Sequence, residues 1–332
     1  MNNPVNSIIR RSQYKAGDKL NVLTYVSHER YEPSLCATTH DFYSVIVGET
    51  RTWNEQYSPI PPNYHIYQEQ VPTYIANDID LVIIHNAAVQ LQYAQQFHNI
   101  PIINVFHTMP TPGMDDSYFD NYQALTKICT KNVFISNFNM HAWKFSPQQC
   151  DVIHHGIDDK LFVNANTNRE PVILSVANDY INRDWALGFQ LWQAVTQGRN
   201  VLPVGKTPGF SEPAKNLTDM IRIYNKSRIF LNTSLASPIP MSLLEAMLCG
   251  CACVSTNTCM IPDIIEHGVD GFICSPRKPD QFTKYLDLLS NDAELANKMG
   301  QKARAKIQKM FSLDNFTTAW NNLLVQAIND YR

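Results

Sequence analysis

Short apolar, β-branched runs recur along the chain, separated by stretches whose apolar positions return every three or four residues. In the first half the runs are NVLTYV (21–26), YSVIVG (43–48), LVIIH (81–85), IINVF (102–106) and NVFIS (132–136). In the second half they are PVILSV (171–176), NVLPVG (200–205), RIFLN (228–232), CACVS (251–255) and GFIC (271–274). Amphipathic segments such as DWALGFQLWQAV (184–195) and PMSLLEAMLC (240–249) lie between them. Near-continuous apolar strands alternating with helices predict parallel sheets covered on both faces. Two such series in tandem predict an α/β protein of two Rossmann-like, doubly wound domains facing a cleft.

The junction is expected near DVIHHGIDDKLF (151–162), followed by the polar NANTNRE (164–170), a linker by composition. The chain closes on FSLDNFTTAWNNLLVQAINDYR, where Ser312 is placed to cap a long amphipathic helix. The expected domains are therefore 1–155, joined by the helix 313–332, and 156–312.

Composition narrows the class. The 332 residues, 44% hydrophobic and 17% charged, suffice for two cores. Residues 1–165 hold 10 Lys and Arg against 15 Asp and Glu, and the remainder 17 against 15, within a net charge of −3. No overall basic excess marks a nucleic-acid binder. Arg10, Arg11, Lys15 and Lys19 are not followed by an apolar signal-peptide core, and runs such as LVII are too short to span a bilayer. With eight cysteines and no leader, the expectation is a soluble, cytoplasmic protein with reduced thiols and no integral membrane segment.

MLCGCACVSTNTC (247–259) places Cys249, Cys251, Cys253 and Cys259 within eleven positions. A zinc site presents pairs spaced C-x₂₋₄-C on a turn, with a second pair elsewhere. Here C-x-C-x-C straddles a predicted helix end at Gly250 and the following strand, so packing is the preferred reading. The adjacent His154 and His155 point apart in an extended segment, which suits a hinge better than a metal pair. No Asp-x-Asp follows a strand, and no metal is expected. Gly205-Lys206-Thr207 is not a P-loop, because position 200 is Asn.

The stretch PIPMSLLEAMLCGCACVSTNTCMIPDIIEHGVDGFIC (238–274) resembles the donor-binding segment of retaining glycosyltransferases of the two-Rossmann-domain, GT-B type, the glycogen synthase and family-4 kind (glycosyl transferases group 1). Glu245, Ala246, Met247 and Gly250 match its pattern, as do Glu266, Gly268, Asp270, Gly271 and Phe272. VIHHGIDDKLF (152–162) is similar to the family's interdomain segment, and LTDMIRIYNKSRIFLNTS (217–234) to the helix and strand before the donor motif. The final helix resembles the one that crosses back to the first domain. The resemblance covers 151–332 well and the first half thinly.

The resemblance implies transfer of a sugar from a nucleoside-diphosphate sugar to an acceptor hydroxyl, with retention and with no obligatory cofactor. The donor-binding residues it implies are Glu245 for the ribose hydroxyls, the Met241 and Ser242 amides at a helix start, Ser237, and Arg183 and Lys206 as phosphate cations. Departures are visible: Ser237 replaces the first glutamate of the motif, Pro240 a glycine, and Asn178 an arginine. His107, directly after a strand, stands where the family contacts the donor sugar, so His107 and Arg183 carry the catalytic assignment. His28, Glu29 and Arg30 replace a glycine-rich loop and are assigned to acceptor or donor contacts. The acceptor (glycan, small molecule, protein or modified nucleic acid) is left open. Two other readings stand beside this one: a non-catalytic nucleotide-sugar-binding module, and a nucleotide-sugar epimerase of the same architecture.

Overall fold

The computed structural model describes residues 5–15, 17–48, 51–97, 100–165 and 168–331. The chain divides into two compact units, 1–156 with 313–332, and 157–312.

Among the described residues the first unit holds a parallel sheet of β1 (Asn21–Thr24), β2 (Asp41–Ile46), β3 (Tyr64–Gln68), β4 (Leu81–Ile84), β5 (Ile102–Phe106), β6 (Lys131–Phe134) and β7 (Asp151–Val152). Their order is β3-β2-β1-β4-β5-β6-β7. Alternation along each strand serves two cores: Val22, Ile83 and Ile103 face one side, Leu23, Val82 and Ile102 the other. The first side is closed by the final helix, Leu313–Asp330, through Phe316, Trp320, Leu324 and Ile328. Burying side chains of this size contributes about 1.5–3 kcal/mol each. That burial explains why the chain's last helix belongs to its first unit.

The second unit holds β8 (Glu170–Val176), β9 (Val201–Val204), β10 (Ser227–Asn232), β11 (Ala252–Thr256) and β12 (Phe272–Cys274), ordered β12-β11-β10-β8-β9 and parallel throughout. Ile173, Ile229, Leu231, Ala252 and Val254 pack under Trp192, Phe282, Leu286 and Leu289. In each sheet the order turns from one direction to the other beside its first strand, where such folds collect ligands at the carboxyl edge.

Three local expectations change. DWALGFQLWQAV is two helices, Asp184–Leu187 and Phe189–Thr196, because Gly188 adopts φ +70° and breaks the ladder. A side chain there would also meet the Thr233 carbonyl oxygen at 2.2 Å. The edge strands β3 and β7 were not anticipated: YHIYQ mixes polar and aromatic residues, and β7 is two residues long. NANTNRE is no free linker among its described residues; positions 166 and 167 lie outside them. Arg169 donates to the Tyr224, Ser227 and Cys249 carbonyls, and the Ala165 amide donates to Asn225 Oδ1.

Cys249, Cys251 and Cys253 are fully buried free thiols, and burial pushes Cys251 up to about 11. Among the described residues no group of three or more His, Cys, Asp or Glu side chains is placed to hold a metal. None of their helices is long and apolar enough to cross a membrane.

Candidate functional site

In the second unit, the assigned cations leave the carboxyl ends of neighbouring strands. Asn178 and Arg183 follow β8, and Lys206 follows β9. Asn178 Oδ1 accepts from the Lys206 amide at 2.8 Å, while the Asp179 amide donates to the Lys206 carbonyl at 2.8 Å. Asn178, at the position where the resemblance expects an arginine, thus ties the two loops together. The Tyr180 amide donates to Thr207 Oγ1, fixing the same pair of loops from the buried side. Arg183 and Lys206 project from this scaffold as exposed side chains.

The helix Met241–Leu248 begins beside the same edge. Ser242 Oγ donates to the Val176 carbonyl, the last residue of β8, at 3.4 Å. Pro240 precedes the helix with φ −70° and offers no side-chain cap, leaving first-turn amides for an acceptor. A helix start of this kind attracts anions. Ser237 is half-buried in the preceding loop. Glu245, one turn further along, is 5% exposed, and its Oε2 accepts from the Tyr224 hydroxyl at 2.9 Å. It is therefore no solvated helix glutamate. Tyr224 was missed in the sequence because nothing in NK-S-R spacing shows that a tyrosine reaches across to the next helix.

In the first unit, His107 follows β5 and lies half-buried. Its Nε2 is 2.9 Å from Nδ1 of His85, which follows β4. His85 Nε2 in turn lies 3.1 Å from Thr24 Oγ1 and 3.4 Å from Glu32 Oε1. The His85 side chain is 3% exposed and that of Glu32 is 0%. Burial pushes the Glu32 carboxyl up to about 8 and His85 down to about 3. Tyr31 sets its ring edge-on to His85, His107 and His155. His155 is buried, while His154 bonds the Ile135 carbonyl, so the two adjacent histidines do point apart. Glu32 and His85 escaped sequence reasoning; Glu32, in the helix Tyr31–Cys36 that follows β1, meets His85 and His107, which follow β4 and β5, only once the strand order is known.

The assignment of Glu29 to a substrate needs correcting. Glu29 is 1% exposed: its Oε2 pairs with Arg51, and its Oε1 accepts from the Asn54 amide. Both oxygens serve the fold of the 51–54 loop. Arg30 donates to the Tyr57 carbonyl, and its own amide donates to Nδ1 of the exposed His28. Of that triplet, only His28 is an exposed residue.

Residues 212–306 match the family Glycosyl transferases group 1. A segment of 88 residues is 30% identical to N-acetyl-alpha-D-glucosaminyl L-malate synthase of Bacillus anthracis, covering 26% of this chain and 23% of that protein. The match thus spans less than a quarter of that relative's length. The fold is similar over far more of the chain. A glycosyltransferase from Rickettsia africae ESF-5 gives a TM-score of 0.72 at 16% identity, covering 94% of this chain and 99% of that one. Anabaena Alr3699/HepE, in complex with UDP and glucose, gives 0.73 at 15% identity, covering 92% and 99%. The chain has the GT-B fold of two α/β units with parallel sheets, and its 212–306 segment matches glycosyl transferases group 1.

Proposed function

We propose that the chain transfers a sugar from a nucleoside-diphosphate sugar to an acceptor hydroxyl, with the anomeric configuration retained and without an obligatory metal. The observation that carries this reading is the carboxyl edge of the second sheet. There Arg183, Lys206 and the amide-bearing start of the Met241–Leu248 helix emerge from loops bonded to one another, within and beside the group 1 segment. A departing diphosphate needs such fixed donors, which stabilise the charge as it develops. Arg183 takes the phosphate bidentately, Lys206 supplies a second point charge, and the Met241 and Ser242 amides complete the cradle. Glu245 is assigned to the ribose diol, with Tyr224 orienting its carboxyl group. Ser237 and His107 are assigned to the sugar.

The Anabaena protein of similar fold holds UDP and glucose, so a uridine diphosphate sugar is the first donor to offer. The excess of acidic over basic residues in the first half weighs against a strongly anionic acceptor. A non-catalytic nucleotide-sugar-binding module is the second reading, favoured by Asn178, whose side chain is spent on the Lys206 amide rather than on a ligand.

The test is release of nucleotide from a panel of UDP-, GDP-, ADP- and dTDP-sugars, comparing the wild type with Arg183→Ala and Glu245→Ala. Release from one donor, lost in both variants, supports the transferase. Binding without release, with every class of acceptor supplied, supports the binding module. No binding of any donor overturns both.

A further inference from the structure

The row Glu32–His85–His107 is built from groups whose hydrogen-bonding options are few, and those options dictate where the protons sit. Glu32 Oε1 receives the Ser27 amide at 3.3 Å and the Ser27 hydroxyl at 2.5 Å. A backbone N–H can only donate, so Oε1 is an acceptor. His85 Nε2 faces that oxygen at 3.4 Å and Thr24 Oγ1 at 3.1 Å. The Thr24 hydroxyl can donate or accept and so suits either tautomer; the choice rests on Glu32 Oε1, an oxygen already accepting from Ser27, which a bare nitrogen would face unfavourably and an N–H satisfies. His85, kept neutral by burial, then has a bare Nδ1. That nitrogen lies 2.9 Å from His107 Nε2, so the proton between the rings belongs to His107. His107 is also held neutral, by burial above all, which leaves its Nδ1 without a proton.

We propose that Glu32 and His85 are positioning residues that lock His107 as its Nε2–H tautomer, so that the bare Nδ1 accepts a hydrogen bond from a sugar hydroxyl. The inference deepens the donor-sugar reading of His107 and rests on it for the ligand; the tautomer itself does not depend on any donor. Glu32 and the His85 side chain are enclosed, and His107, the last of the row, is a half-buried residue. Glu32 acts as a neutral acceptor. Its second oxygen is buried without a hydrogen-bond partner, and burial keeps a proton on the carboxyl to about pH 8. The other groups around the row are Tyr31, Tyr64, Cys36, His28, His155 and Glu29. None of these contributes a fixed positive charge. A bare imidazole nitrogen welcomes a hydroxyl and repels a carboxylate, so the row favours neutral hexose donors over uronate donors.

The experiment is a long-range ¹H–¹⁵N correlation spectrum of the full chain carrying ¹⁵N-histidine, without donor, near pH 7. Signals are assigned with His85→Asn and His107→Gln. The expected result is a protonated Nε2 and bare Nδ1 in both His85 and His107. Glu32→Gln, which keeps a carbonyl oxygen in place of Oε1, preserves that pattern. Glu32→Leu, which removes it, gives His107 a mixture of tautomers and slows nucleotide release at least tenfold, with a smaller change in KM. A protonated Nδ1 on His107 in the wild type overturns the inference, and this outcome does not depend on the Glu32 variants. So does an unchanged His107 tautomer in a folded Glu32→Leu variant. Absence of turnover by the wild type with every donor would strike the functional reading alone, because the tautomers are read without one.

Discussion

The Tyr224 hydroxyl donates to Glu245 Oε2 across 2.9 Å, joining the helix Leu217–Lys226 to the helix Met241–Leu248 inside the second unit. Tyr224 is fully buried and Glu245 nearly so, so the bond is shielded from water. Tyr224→Phe removes only the hydroxyl. Denaturant unfolding should show a loss of about 1–3 kcal/mol, the cost of depriving a buried acceptor of its donor. If Glu245 holds the ribose, the same variant should also bind a nucleotide more weakly, because the carboxyl group is no longer oriented. Calorimetric titration with UDP measures this, and unchanged affinity would separate Glu245 from the ligand.

Arg183 follows β8 as an exposed side chain, so its removal should leave the fold alone. Arg183→Ala is expected to slow nucleotide release by roughly ten- to a hundredfold, as expected when one stabiliser of developing phosphate charge is lost. Arg183→Lys should recover only part of that loss, since a point charge replaces a planar fork. Steady-state kinetics with a thermal melt as control tests both. Equal rates in all three proteins would remove Arg183 from the phosphate site.

How much of this could be read from the chain depends on how local each feature is. The ten apolar runs correspond to strands, and the inner ones, such as Leu81–Ile84, Ile102–Phe106 and Ala252–Thr256, are buried at every position, a condition written into the run itself. The strand Tyr64–Gln68 escaped because an edge strand needs no such run, and its Tyr and His side chains look like a loop. The buried cysteines were legible as packing because a helix end at Gly250, with φ +84°, sets their directions. Glu29 was misread because the partner that turns it inward, Arg51, is 22 residues away in a segment without pattern. Glu32 and His85 could not be paired from sequence at all: 53 positions separate them, and only the β2-β1-β4 strand order brings them together.

Gly300 shows how closely the second unit is packed. A Cβ at this position would meet the Gly250 carbonyl oxygen at 2.1 Å and its carbon at 2.7 Å. Gly300 sits inside the helix Ala293–Met310, where alanine would ordinarily be the better residue by about 1 kcal/mol. The contact reverses that sign, because the obstacle is backbone and cannot rotate away. Gly300→Ala should therefore destabilise the protein by about 1–3 kcal/mol, the usual range for overpacking. Chemical denaturation gives the answer, and a variant more stable than the wild type would mean that helix and Gly250 are not in contact.

Glu32 and its neighbours also give stability a distinctive pH dependence. The Glu32 carboxyl is raised from its ordinary 4.5 to about 8, so between those values the folded protein holds a proton that the unfolded chain has lost. Its contribution is complete below about pH 4.5 and disappears as pH rises through 8. His85 and His155 act in the opposite sense. Both are pushed from 6.5 to about 3, so the unfolded chain gains protons first and stability falls as pH drops below 6.5. The unfolded-state histidines finish losing their protons only by about pH 7.5, His28 and His107 included, but that contribution is common to the wild type and Glu32→Gln, so the difference between the two curves isolates Glu32. Relative to Glu32→Gln, the wild type should lose on the order of 1–2 kcal/mol of unfolding free energy between pH 6.5 and 8. Glu32→Gln cannot ionise, so its curve should keep the acid-side loss that the histidines cause and level off above about pH 7.5 without the Glu32 loss. Urea unfolding at half-unit pH intervals measures both limbs. An identical slope in the two proteins between pH 6.5 and 8 would show that the buried carboxyl is already ionised at neutral pH, and that His85 faces a charge rather than a neutral acceptor.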